Sequence, residues 1–109
     1  MRSVGDGWTE AELLQLPGGE LVVPGMVALS RGEETVESLL VTIAARRLRA
    51  AGLDVPQISN PDPELRLFRR LRAEGGTDAY GRYNSLIRRL IRFEHAIEAA
   101  HARRARSLK

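Results

Sequence analysis

The residues best placed to do chemistry lie near the C-terminus, where Phe93 to His101 (FEHAIEAAH) sets two carboxylates and two imidazoles among apolar side chains. On a helix, Glu94 and His101 are seven residues apart and fall within about 20° of each other. Glu98 and His101 form a Glu-x-x-His, the spacing that brings a carboxylate and an imidazole to one helix face. Di-metal bundles use two such pairs, with one further Glu from each of two other helices. This chain has one copy, His95 points elsewhere, and Glu37 is the one obvious extra carboxylate on the central helix. A metal centre at Glu94, Glu98 and His101 would therefore have to be completed by a second copy of the chain. The plainer reading is polar decoration on a packed helix, and the expected cofactor complement is none.

A second pair needs fewer assumptions. Arg47 projects beside Leu40 and Ile43, in the middle of an apolar stripe, where a lone cation is costly. Glu94 interrupts the apolar stripe of the last helix in the same way. The two are expected to form a buried ion pair, within one subunit or across an interface, that fixes the register of the helices more than it stabilises them. The alternative is that both side chains snorkel to water.

Arginine supplies sixteen of the seventeen cations. Arg88, Arg89, Arg92, Arg103 and Arg106 gather on one side of the last helix and could contact nucleic-acid phosphates. No standard recognition motif accompanies them. The link between the central helix and the helix after it is too long and proline-rich for a helix-turn-helix, and five aromatic residues leave little for base stacking. Enzyme chemistry finds less support: no serine sits in a nucleophile elbow, GDGW and PGGE are not phosphate loops, and no carboxylates form a clear catalytic pair. In AYGRYNSL, by contrast, Tyr80, Tyr83 and Asn84 flank a glycine at a helix start, and tyrosine is a common interface anchor. The alternative there is a tyrosine-edged core.

The elements that must carry these residues are legible from caps and periodicity. Thr9 and Glu12 make a capping-box pattern for a short helix that Pro17-Gly18-Gly19 stops, with Trp8 placed to staple against Leu13. ELVVPGMVALSRG reads as a packed connector interrupted by proline. A central helix starts near Glu34 or Thr35 and ends at Gly52, with Val36, Leu39, Leu40, Ile43, Ala50 and Ala51 on one face and Val41, Ala44 and Leu48 widening it. After a three-proline linker, Asp62 and Pro63 supply an N-cap and first-turn pair for a helix over Glu64 to Glu74. Its Leu65, Leu67, Phe68 and Leu71 are expected to face inward, and Gly75-Gly76 ends it. The last helix starts at Thr77 or Asp78 and runs about 28 residues, long enough for its final turns to project. Tyr80, Tyr83, Leu86, Ile87, Leu90, Ile91, Phe93 and Ile97 form its apolar side. The expected fold is all-α: one helical domain over residues 1–109, three main helices plus a short N-terminal one, with 1–8 and 103–109 loose.

Bulk properties bound the function. With 43% hydrophobic and 28% charged residues the chain is globular in composition, and no run approaches the roughly 18 to 20 apolar residues of a membrane span. Zero cysteines remove thiolate metal sites and disulfides and fit a reducing compartment, so the cytoplasm is the expected location. Residues 1–45 hold two arginines against seven acids, net −5, whereas residues 46–109 hold fifteen cations against seven acids, net +8. Such polarity can dock one half on the other, within or between subunits, or steer the protein to an acidic partner. The reading that follows is a helical interaction or assembly protein, homodimeric, with nucleic-acid binding through the arginine surface and a metal site completed by oligomerisation as the alternatives.

Overall fold

The computed structural model describes residues 7–57, 60–75 and 77–107, and in them the chain is all-α. Five helices follow one another: α1 (Glu10–Leu14), α2 (Gly19–Ser30), α3 (Val36–Ala50), α4 (Pro63–Ala73) and α5 (Ala79–Ser107). The expected looseness of residues 1–6 and 108–109, and the stop at Gly76, lie outside the described residues.

Local sequence explains most of the helix ends. Thr9 caps α1 in a reciprocal box with Glu12, and Thr35 caps α3 in the same way with Ser38. The stop at Gly52 (φ +93°) is a Schellman motif: Leu53 N–H donates to Leu48 O at 3.0 Å and Gly52 N–H to Arg49 O at 3.0 Å. Pro63 takes the first turn of α4, where its missing N–H costs nothing. Asp62 before it corrects the sequence reading. It adopts a left-handed conformation (φ 53°, ψ 54°) and makes no side-chain capping bond.

The larger correction is α2. The segment expected as a connector is a twelve-residue helix that continues through Pro24. Proline there removes the N–H that would bond the Glu20 carbonyl, which alone would favour a break. Burial overrides it: Leu21, Val22, Val23, Met26, Ala28 and Leu29 are all in the core, while Pro24 faces solvent. Packing also explains Gly25. A Cβ at that position would lie 2.6 Å from Val41 Cγ2 and still closer to the Glu37 carbonyl oxygen, so α2 and α3 cross backbone to backbone at this residue.

α3 is the central helix and packs against α2, α4 and α5. Leu39, Leu40, Val41 and Leu48 are fully enclosed and share one continuous core with Leu13, Val22, Leu67, Leu71, Leu90, Phe93 and Ile97. The molecule measures 50 × 25 × 24 Å. At 1.5 Å per residue the 29 residues of α5 span about 43 Å, so this helix sets the long dimension. The chain is helical through Ser107, and residue 8 of the expected loose N-terminus is a core residue, with Trp8 only 4% exposed.

Three side chains expected inside lie largely outside: Leu65 (46% exposed), Tyr80 (69%) and Ile91 (39%). Helical periodicity tells which residues share a face. It does not tell how far a neighbouring helix extends over that face, and the eleven-residue α4 leaves part of α5 uncovered. None of the described helices is long and apolar enough to cross a membrane.

Candidate functional site

α3 and α5 meet through a three-member charge cluster. Arg47, in the last turns of α3, donates from Nη1 to Glu94 Oε1 at 3.1 Å, and its Nε lies 3.6 Å from Glu98 Oε2. The pair is unequally buried. The Glu94 side chain is 8% exposed, whereas that of Arg47 is 55% exposed, so only the carboxylate is withdrawn from water. The expectation of a fully buried pair is corrected accordingly: the long arginine stem reaches over the apolar edge and keeps most of its head in solvent. Phe93 and Ile97, both fully enclosed beside Glu94, set the depth of the carboxylate.

The same cluster bears on the metal reading. Both carboxylates of the Glu94, Glu98, His101 set face the Arg47 guanidinium, which stands where a cation bound to them would stand. His101 is exposed and its ring lies beside Gly52, where a Cβ would be 3.4 Å from its Cε1 and Nδ1. Glu37 sits in the first turn of α3, ten residues or about 15 Å of helix from Arg47. Among the described residues no three His, Asp or Glu side chains converge as a metal-holding group.

Pairing divides the arginines of α5 into two sets. Arg89 donates to Glu20 at 2.6 Å, holding the carboxyl of Glu20 below its ordinary value, chiefly through that hydrogen bond. Arg104 stacks on the Trp8 ring at 3.6 Å, donates to the Gly7 carbonyl at 2.9 Å and pairs with Glu12. The Glu12 carboxyl is lowered mainly by the backbone N–H of Thr9, which it accepts in the capping box, and in part by Arg104. Arg66 and Arg70 share Glu34, and Arg82 pairs with Glu74 at 3.0 Å. Four of these links, Glu12 to Arg104, Glu20 to Arg89 and Glu34 to both Arg66 and Arg70, join the acidic first half to the basic second half within one chain. Arg88, Arg92, Arg103 and Arg106 are different. They are exposed, and among the described residues no carboxylate lies within 4 Å of them.

The tyrosine cluster sits at the opposite end of α5 from Arg104. Phe68 of α4 meets Tyr80 and Tyr83 edge-on, with ring centroids 6.3 and 6.1 Å away. Tyr83 is half-buried, and burial is the main reason its hydroxyl is raised above the ordinary value of 10, with the nearby Glu64 charge adding to it. Tyr80 is mostly exposed and Asn84 half-buried. At about 100° per residue, Tyr80, Asn84, Ile87 and Ile91 form a 4-3-4 seam along one edge of α5, a feature periodicity could have shown at the outset.

A surface cleft of about 320 Å³ lies between the end of α2, the start of α3 and the linker. Within its lining Glu34 holds Arg66, and the Ser38 hydroxyl closes the α3 cap. Comparison with known proteins brings no relative, since the chain matches no protein family, no curated protein and no solved structure.

Proposed function

We propose that this is a helical interaction protein without catalytic chemistry of its own, acting in the cytoplasm by pairing with a second copy of itself through the α4–α5 edge. One observation carries the reading: Tyr80 is 69% exposed yet braced edge-on by Phe68, so a large aromatic is held rigid in water at little further entropic cost on binding. Leu65 and Ile91 extend the apolar surface on either side of it. Asn84, in the seam between Tyr80 and Ile87, is the kind of single polar residue that fixes register when two helices pair. A two-fold arrangement would place the same seam on both partners and close the assembly at two. The absence of cysteine from the sequence supports a reducing compartment.

The experiment is sedimentation velocity from about 1 to 100 µM, with Tyr80→Glu and Ile91→Glu as variants whose side chains face solvent in the monomer. Self-association predicts a mass rising with concentration toward twice the 12.1 kDa of the chain, and a monomer throughout for the double variant with unchanged helicity. A wild-type monomer at every concentration overturns the proposal.

A further inference from the structure

The four arginines of α5 that meet no carboxylate lie on one line. On α5, Arg88, Arg92, Arg103 and Arg106 fall within about 60° of one another around the helix axis and are spread over about 27 Å of its length. His95 and Ala99 fill the gap between the two pairs, and no acid of α5 shares the arc, since Glu94 and Glu98 face Arg47. The arc points away from the core, which takes Leu90, Phe93 and Ile97 from the other side of the helix. The other arginines of α5, Arg82, Arg89 and Arg104, are absorbed by ion pairs to Glu74, Glu20 and Glu12, and the exposed Arg46, Arg69 and Arg72 lie on α3 and α4. The result is a straight cationic ridge on a rigid element, unbroken by an opposite charge.

We propose that this ridge binds the phosphate backbone of double-helical nucleic acid, without reading its sequence. Charge complementarity selects the class of partner: a rigid row of guanidinium groups matches a rigid row of phosphates, and each forked head can donate two bonds to one phosphate. The ridge has no Phe, Tyr or Trp and His95 is its one ring, so it offers no run of platforms for successive unstacked bases, which favours a duplex over a single strand. The arc itself carries no large apolar group to enter a bilayer, and the exposed Tyr80 and Ile91 of α5 lie on the neighbouring edge. With no element entering a groove, contacts stay on phosphates and carry no base information. The proposal is separate from self-association, which uses the Tyr80 edge of the same helix.

The test is fluorescence anisotropy with the full chain and a labelled random-sequence duplex, titrated at several salt concentrations below the concentration at which any dimer forms. Four phosphate contacts give a slope of log K against log salt near −3.6, and so about a 150-fold loss of affinity between 50 and 200 mM salt. Replacing Arg88, Arg92, Arg103 and Arg106 by Gln is expected to abolish binding. A second variant with the same loss of charge at other exposed or partly exposed positions, Arg31, Arg46, Arg69 and Arg72 to Gln, is expected to keep the slope. The proposal is overturned by no duplex binding at 20 mM salt, by equal losses in the two variants, or by equal or tighter binding to polyglutamate or to phosphatidylserine vesicles. Circular dichroism of both variants confirms that the helices persist, as expected for substitutions that leave the core untouched.

Discussion

Replacing Arg47 should cost more than replacing Glu94, although the two form one ion pair. The unequal burial is the reason. Arg47→Met keeps the aliphatic stem but leaves the Glu94 carboxylate, 8% exposed, without its main cationic donor. Removing one partner of a fully buried pair costs about 3 to 5 kcal/mol, and because this guanidinium is more than half in water the expected loss is lower, about 2 to 3 kcal/mol. Glu94→Gln leaves Arg47 with water and with Glu98 at 3.6 Å, so it forfeits little beyond a charge-assisted hydrogen bond, about 1 kcal/mol. With an unfolding entropy near 2.1 cal/mol/K per residue, 109 residues give about 0.23 kcal/mol/K. The expected falls in Tm are then about 9 to 13 °C for Arg47→Met and about 4 °C for Glu94→Gln. The combination Arg47→Met with Glu94→Leu should return close to the wild type, because an apolar pair has no desolvation cost to recover. Urea and thermal denaturation of the three variants measure this directly. Costs that are equal, reversed in order, or simply additive in the double variant would refute the assignment of Glu94 as the buried member.

Other outcomes follow from the same geometry. Gly25→Ala improves helix propensity yet drives a methyl into Val41 and the backbone of Glu37, so Tm should fall, by about 4 to 13 °C for an overpacking cost of about 1 to 3 kcal/mol; a rise in Tm would show that α2 can move off α3. Trp8→Phe removes the Nε1–H bond to the Ala51 carbonyl (3.2 Å) and the better cation–π surface under Arg104, with an expected loss of about 1 to 2 kcal/mol, whereas Arg104→Gln should cost less because its Glu12 partner stays in water. The lowered carboxyl of Glu20 stabilises the fold above the ordinary value of 4.5, and that share is lost as pH falls through the folded value. Arg89→Gln should flatten this part of the acid unfolding curve. Tyr83 has the opposite edge: its hydroxyl is raised in the fold, so stability present below pH 10 is lost as pH rises from 10 toward the folded value, and Tyr83→Phe should remove that alkaline slope.

Sequence carries information about a side chain only where it breaks a pattern. The caps at Thr9 and Thr35, the stop at Gly52 and the apolar periods of α3 and α5 are local events, and each element they mark is present in the fold. α2 has no such signature because it is apolar on nearly every side. A helix buried all round shows no 3.6-residue period, and Pro24 adds a local signal against it that only the surrounding core overrules. Charge follows the same logic. Arg47 and Glu94 interrupt apolar stripes, a placement that is costly unless each meets an opposite charge, and they lie 3.1 Å apart across α3 and α5. Arg89 and Arg104 sit in polar surroundings where either water or a carboxylate would serve. Their partners, 69 and 92 residues away, could be known only once the helices were placed. The division of the arginine surface into tied and untied members is therefore a property of the fold, and it moves the candidate nucleic-acid contact from five residues to four. Arg89 drops out because Glu20 holds it, while Arg88, Arg92, Arg103 and Arg106 remain because the arc they share carries no acid and faces no other helix.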